Sequence, residues 1–258
     1  MVIRRIREHV AAQNWFAVGI DVAIVVVGVF LGTQANNWNE ERIERAAAAD
    51  YRRQIIDDLN SNESDIAGRK AYYQTVRAHA LAALAAIEAP SRPRGEPFLI
   101  DAYQASQVWL RPLTRTGYDE MTGAGLSKRL GDRQARSRLT AYYTQIRQFD
   151  ITALNMTSYR ERLRRVMPYK VQSAVHRQCG DHVFTLPGGA QMAALPDTCS
   201  LGLDPSTVTM AVSRIERADL GEDLTRHIAD IDQKIAGFDR FSRLAHDVRL
   251  SLEAQDRK

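Results

Sequence analysis

Proline and glycine are scarce and unevenly placed, 8 and 15 of 258 residues. Between Gly32 and Glu88 there is no proline and one glycine, Gly68. So long an interval without a breaker excludes a succession of short strands and turns there. Nor does any stretch alternate apolar and polar residues well enough to specify a strand, a short candidate near Val183–Leu186 aside. An excess of one charge is also missing. Lys and Arg number 35 against 31 Asp and Glu, for a net charge of +4 and a pI near 9.2. The arginines are mixed among carboxylates instead of gathered in a patch, which argues against nucleic acid as a partner.

Catalytic groupings are lacking too. His79, His227 and His246 fall within helical patterns, and no serine, aspartate and histidine stand at a spacing that assembles a triad. The glycine-rich LPGGA at 186–190 has neither the Lys-Ser/Thr nor the following apolar helix of a phosphate-binding loop, so it reads as a turn. Tyr72-Tyr73 and Tyr142-Tyr143 read as packing residues on helix faces. The expectation is a protein that is not an enzyme and holds no cofactor.

What the chain does have is one long apolar run. Ala17–Ala35, AVGIDVAIVVVGVFLGTQA, is 19 residues with the single charge Asp21, close to the roughly 20 that cross a bilayer core as a helix. Trp15 and Trp38 flank it, about 34 Å apart at roughly 1.5 Å per residue, a spacing suited to two interfacial aromatic belts. Arg4, Arg5 and Arg7 precede it, and the mixed charges Glu40, Glu41, Arg42, Glu44 and Arg45 follow. The positive-inside bias then places residues 1–14 in the cytoplasm, 15–38 in the membrane as a single anchor, and 39–258 outside, in a bacterial periplasm. A cleaved secretory signal is the rival reading. Its apolar core would be unusually long, and NNWNEERIERAAAADYRRQ continues the helix without a break.

Helical periodicity dominates the remainder. Trp38, Ala46, Ala49, Ile56, Leu59 and Ile66, then Tyr73, Val76, Ala80, Leu84 and Ile87, recur at spacings of three and four and predict a helix over 36–88, with Asn60–Ser64 as a candidate break. Ala89–Pro97 is a loop, and a short helix covers Phe98–Trp109. Tyr118–Gly131 reads as a glycine-rich turn. Asp132 is placed to cap a helix running to about Val166, with Leu139, Tyr142, Tyr143, Ile146, Phe149, Ala153 and Met156 on one face. His176–Pro205 is irregular, and Ser206 opens a helix to about Ala218. A last helix spans 221–254, where Leu224, Ile228, Ile231, Ile235, Phe238, Phe241 and Leu244 form a coiled-coil-type seam. The predicted fold is all-α: one transmembrane helix continuing into an external helical bundle.

Two blocks of residues carry a resemblance. Gly28-Val29-Phe30-Leu31-Gly32-Thr33-Gln34-Ala35-Asn36-Asn37-Trp38-Asn39-Glu40, with Asp21 seven residues before it, resembles the anchor of a group of bacterial single-span membrane proteins of unknown function. Their anchors end in an apolar run, a glutamine and NNWNE. That family places a glycine directly before the acid, where this chain has Ile20. The second block, Tyr118-Asp119-Glu120-Met121 through Gly125-Leu126, Leu130-Gly131-Asp132, Arg138-Leu139 and Tyr142-Tyr143, is similar to a further pattern of the same proteins. The resemblance implies topology and no activity.

Asp21, Val25, Gly28, Gly32 and Ala35 share one helical stripe. Gly28 and Gly32 form a GxxxG pair that permits close helix approach, and a charge inside a span tends to face a partner or water. Asp21 reaching the headgroups while the glycines face lipid is the plainer alternative. Cys179 and Cys199 are the only cysteines. Outside the cytoplasm an even pair points to a disulfide, which would stabilise the fold by roughly 3 kcal/mol. A zinc site of His176, Cys179, His182 and Cys199 is the alternative. Two functions of different class follow. One is a non-enzymatic membrane scaffold or accessory subunit that self-associates or binds another membrane protein. The other is a receptor-like periplasmic sensor that binds a small ligand between helices and signals through a partner.

Overall fold

The computed structural model describes residues 15–89, 93–109, 111–153, 157–186, 191–196 and 198–256, without the side chains of 15–18, 21, 148–153, 255 and 256. Among these the elements are α1 (Trp15–Glu88), α2 (Glu96–Ala105), α3 (Thr116–Gly123), a 3₁₀ turn (Leu126–Arg129), α4 (Arg133–Ala153), α5 (Ser158–Val166), α6 (Tyr169–Gln178), β1 (His182–Thr185), β2 (Gln191–Ala194), α7 (Pro205–Ala218) and α8 (Gly221–Asp256). The fold is all-α with one hairpin. Contacts divide the chain into a unit ending at Asp50 and a unit running from Tyr51.

In the first unit the described residues belong to α1 alone. Past the apolar run its surface carries side-chain pairs within the helix, Asn36 to Glu40 at 2.8 Å, Arg42 to Asn39 at 3.2 Å, and Arg45 to Glu41. Pairs three or four residues apart support an exposed helix by a few tenths of a kcal/mol each.

In the second unit α1 supplies the core's spine. Ile55, Leu59, Asn62, Ile66, Arg69, Tyr73, Val76, Ala80 and Ala83 are all buried, at alternating spacings of four and three. That spacing keeps one face of a helix turned inward over many turns. Asn60–Ser64 is therefore no break. The Asn62 side chain donates to the Thr114 carbonyl at 2.7 Å and accepts the Thr114 N–H at 2.8 Å, so the amide replaces a backbone partner for the extended segment before α3. Asp58 accepts the Gly117 N–H at 2.8 Å on the same side. Buried Arg69 is held by buried Asp65 at 2.7 Å, the pairing a charge needs to stay out of water.

Helix α8 lies antiparallel to this part of α1. Lys70 meets Asp239 at 2.7 Å, Arg77 meets Asp232, and Arg249 meets Glu63 at 2.7 Å. Such half-exposed pairs contribute little stability and mainly fix register. Cohesion comes from Leu224, Ile228, Ile231, Phe238, Ala245, Val248 and Leu252, all buried, with the Phe238 ring 5.7 Å from Tyr73. The seam of α8 is thus filled by the chain's own core, and beyond Phe238 it continues through Ala245 instead of half-buried Leu244.

Several boundaries differ from the sequence expectation. The helix expected over Phe98–Trp109 is α2, ending at Ala105. Tyr118–Gly131 is not a plain turn, since α3 and the 3₁₀ turn occupy most of it. Tyr118 stacks on Tyr143 at 4.2 Å, and Arg115 grips Asp119 through two bonds of 2.6 Å. These contacts outweigh the breaking tendency of Gly117, Gly123 and Gly125. Asp132 does cap α4, accepting the Ala135 N–H at 2.8 Å. The helix expected to reach Val166 is two, because Thr157 has an extended backbone (φ −79°, ψ 155°) ahead of α5. Leu139, Tyr142, Tyr143 and Ile146 are buried as expected, whereas the side chains of Phe149, Ala153 and Met156 lie outside the described residues. Helix α6 leads into the irregular stretch and ends at Gln178, and the stretch itself holds an antiparallel hairpin pairing His182 with Ala194 and Thr185 with Gln191. Its Met192 side chain lies over Gly68, its flexible end where a Cβ would stand.

Gly117 crosses α1 closely. A Cβ there would meet Gln54 Cβ and Ile55 N at 3.0 Å, and the helix backbone cannot yield as a side chain can. Gly117→Ala should cost about 1–3 kcal/mol in chemical denaturation, as overpacking does. Gly123→Ala, with nothing within 4 Å, should change stability by no more than about 0.5 kcal/mol. Equal stability of the two variants would contradict this packing.

Candidate functional site

The first candidate surface is the apolar run of α1. Ile24, Val25, Val26 and Val27 step around a full helical turn at about 100° each, and all are 54–64% exposed. Phe30 and Leu31 are exposed likewise. Gly28 and Gly32 have nothing within 4 Å of an added Cβ, so the groove they form is open. Asp21 lies in the same helix, with its side chain outside the described residues. Among the described residues no helix is long and apolar enough to cross a membrane.

The two cysteines come together. Cys179, wholly buried at the end of α6, is bonded to Cys199, with their Cα atoms 5.6 Å apart. Sulfurs joined to each other are not metal ligands. Among the described residues no group of three or more His, Cys, Asp or Glu gathers to hold a metal. The loop after Cys199 is tied to the start of α2. Glu96 accepts from the Ser200 hydroxyl and from the Leu201 and Leu203 N–H groups. Burial raises its pKa, but these bonds together outweigh that and hold its carboxyl below the ordinary range. Residues 187–190 of LPGGA lie outside the described residues.

The helical histidines are each engaged by neighbouring groups. His227 is 4% exposed, and both ring nitrogens are engaged at 2.7 Å, Nδ1 with the Thr157 hydroxyl and Nε2 with the Ala105 carbonyl. A carbonyl only accepts, so Nε2 carries the proton and Nδ1 receives that of Thr157. The ring also stacks on Tyr159 at 5.3 Å. His79 Nδ1 pairs with Asp101 at 2.7 Å, and no serine, threonine or cysteine bonds to it among the described residues. His246 is exposed beside Glu63 and Arg249.

One polar cluster escapes a reading of the sequence. Arg160 and Arg164, half-buried and one turn apart on α5, both reach Ser106 at the end of α2. Arg160 donates to its carbonyl, and Arg164 Nε donates to its hydroxyl at 3.0 Å. The Arg164 guanidinium lies 3.5 Å from the centre of the Tyr103 ring. Burial, with Arg160 adding to it, pushes the Arg164 pKa down against the pull of Tyr103. Close by, the Tyr72 hydroxyl is buried without a hydrogen-bond partner, and its ring meets Trp109 edge-on at 5.5 Å. The available signal was two arginines four apart, interleaved with Tyr159 and Leu163.

Compared with known proteins, the chain matches no family model, no curated protein and no solved structure.

The buried ring of His227 gives a pH signature. Desolvation is the main cause of a pKa lowered from 6.5. Its contribution to stability is therefore full above about 6.5 and is lost as pH falls from there toward the lower folded value. Between pH 7 and 5 the melting temperature of the protein should fall, and less steeply for His227→Gln. Parallel profiles would show that another group controls the acid limb.

Proposed function

We propose that Ala17–Ala35 anchors the chain in a bacterial cytoplasmic membrane as a single span, residues 1–14 facing the cytoplasm and the domain beyond residue 38 facing the periplasm. The protein acts there as a non-enzymatic scaffold or accessory subunit, associating with itself or with another membrane protein. The observation that carries this reading is a helix apolar and exposed on every side. Such a helix belongs in a core or a bilayer, and a contiguous apolar wall of this size is not sustained in water.

Three further features support it. The run has the length of a bilayer core. Arg4, Arg5 and Arg7 precede it, as the positive-inside bias requires. The Cys179–Cys199 bond belongs to an oxidising compartment. The resemblance of Gly28–Glu40 to single-span anchors agrees with the same topology.

Association is assigned to the anchor because the seam of α8 is already filled. In lipid, burial of apolar side chains drives helix pairing little, so close backbone approach and polar contacts must do so. Gly28 and Gly32 supply the first and Asp21 the second. A double Gly28→Leu, Gly32→Leu change should reduce a membrane two-hybrid signal, while Val27→Leu, about 100° around the helix from Gly28, should leave it intact. Equal signals from all three would place any association outside the anchor.

A further inference from the structure

We propose that Arg160, Arg164 and the Tyr72 hydroxyl form a binding site for a small carboxylate anion between α1, α2 and α5. This goes beyond an anchoring role and does not depend on it.

Charge balance is the first argument. Half-buried Arg94, Arg115 and Arg249 in this domain hold carboxylates, Glu216, Asp119, and Glu63 with Glu253, whereas half-buried Arg111 and Arg136 donate to backbone carbonyls. Arg160 and Arg164 have no carboxylate partner among the described residues. Asp101 near Tyr159 is taken by His79, and exposed Asp181, within electrostatic range of Tyr72, makes no ion pair with either arginine. The end of α2 offers them about half a negative charge, against two full positive charges one turn apart. An anion completes that balance.

Donor geometry is the second. Each guanidinium has N–H groups left over after its bonds to Ser106 and, at 3.4 Å, to Gln107. A guanidinium's planar fork matches the two oxygens of a carboxylate. Tyr72 is 2% exposed, and its hydroxyl is within electrostatic range of both arginines. A buried hydroxyl without a partner costs free energy, and donating to a bound oxygen removes that cost. Tyr103 lies under the Arg164 guanidinium, and the Trp109 ring meets Tyr72 edge-on.

The test is calorimetric titration of the full chain in detergent micelles, at fixed ionic strength in chloride. Acetate, benzoate and inorganic phosphate are the probes. Saturable heat is expected with at least one of the two carboxylates. Arg160→Gln should weaken it by about tenfold or more, the loss typical of removing a charged donor. Tyr72→Phe, which keeps the ring packing, should weaken carboxylate binding while leaving the ligand-free protein as stable as before or more so. The exposed-site control Arg217→Gln should match the wild type. No saturable heat with either carboxylate, binding of phosphate alone, or unchanged affinity in both Arg160→Gln and Tyr72→Phe would each overturn the proposal.

Discussion

One inward stripe on α1, from Ile55 to Ala83, determines how the domain is built. Its alternating four-and-three spacing keeps a single face turned to the core for about eight turns at 3.6 residues each. The entry to α3, the hairpin and α8 all meet α1 along this stretch. Asn62 and Asp58 fix the segment entering α3, Gly68 receives Met192 of the hairpin, and Tyr73 meets Phe238 of α8. The two polar members of the stripe are each fully committed, Asn62 to the Thr114 backbone and Arg69 to Asp65. Buried polar groups so satisfied specify register, because a shift of one residue would orphan them.

The same stripe governs what is left for partners. Once the seam of α8 is used inside the chain, it offers no sticky surface for a second copy. Among the described residues a large uncovered apolar surface is the run ending at Leu31, where consecutive residues point in every direction. A surface that faces all ways at once suits a solvent better than a single partner. This is the physical basis for the proposal that it faces lipid, with the open groove at Gly28 and Gly32 as the proposed place of helix approach.

Much of the helical architecture was legible in the sequence. Leu59, Ile66, Tyr73, Val76 and Ala80 were identified from apolar spacing alone, as were α7, α8 and the cap at Asp132. Asn62 and Arg69 were not, since a periodicity search counts apolar residues and skips polar ones that pack inward with tertiary partners. The apolar spacing points to Ile56, whereas Ile55 is the buried residue, a shift of one position. The Cys179–Cys199 pairing was readable from count and compartment. The Arg160, Arg164 and Tyr72 cluster was not, because its meaning depends on three segments meeting and on the carboxylates that do not come near.

The central claim, an anchor with the domain past Asp50 on the periplasmic side, rests on compartment, and a distribution of amines in this chain makes it measurable. Every lysine lies beyond Asp50, and Lys128 and Lys170 are exposed. A membrane-impermeant amine-reactive biotin reagent applied to intact spheroplasts should label Lys128 and Lys170 as fully as it does after lysis, with the protein retained in carbonate-washed membranes. Labelling that appears only after lysis, or release of the protein by the carbonate wash, would contradict the account.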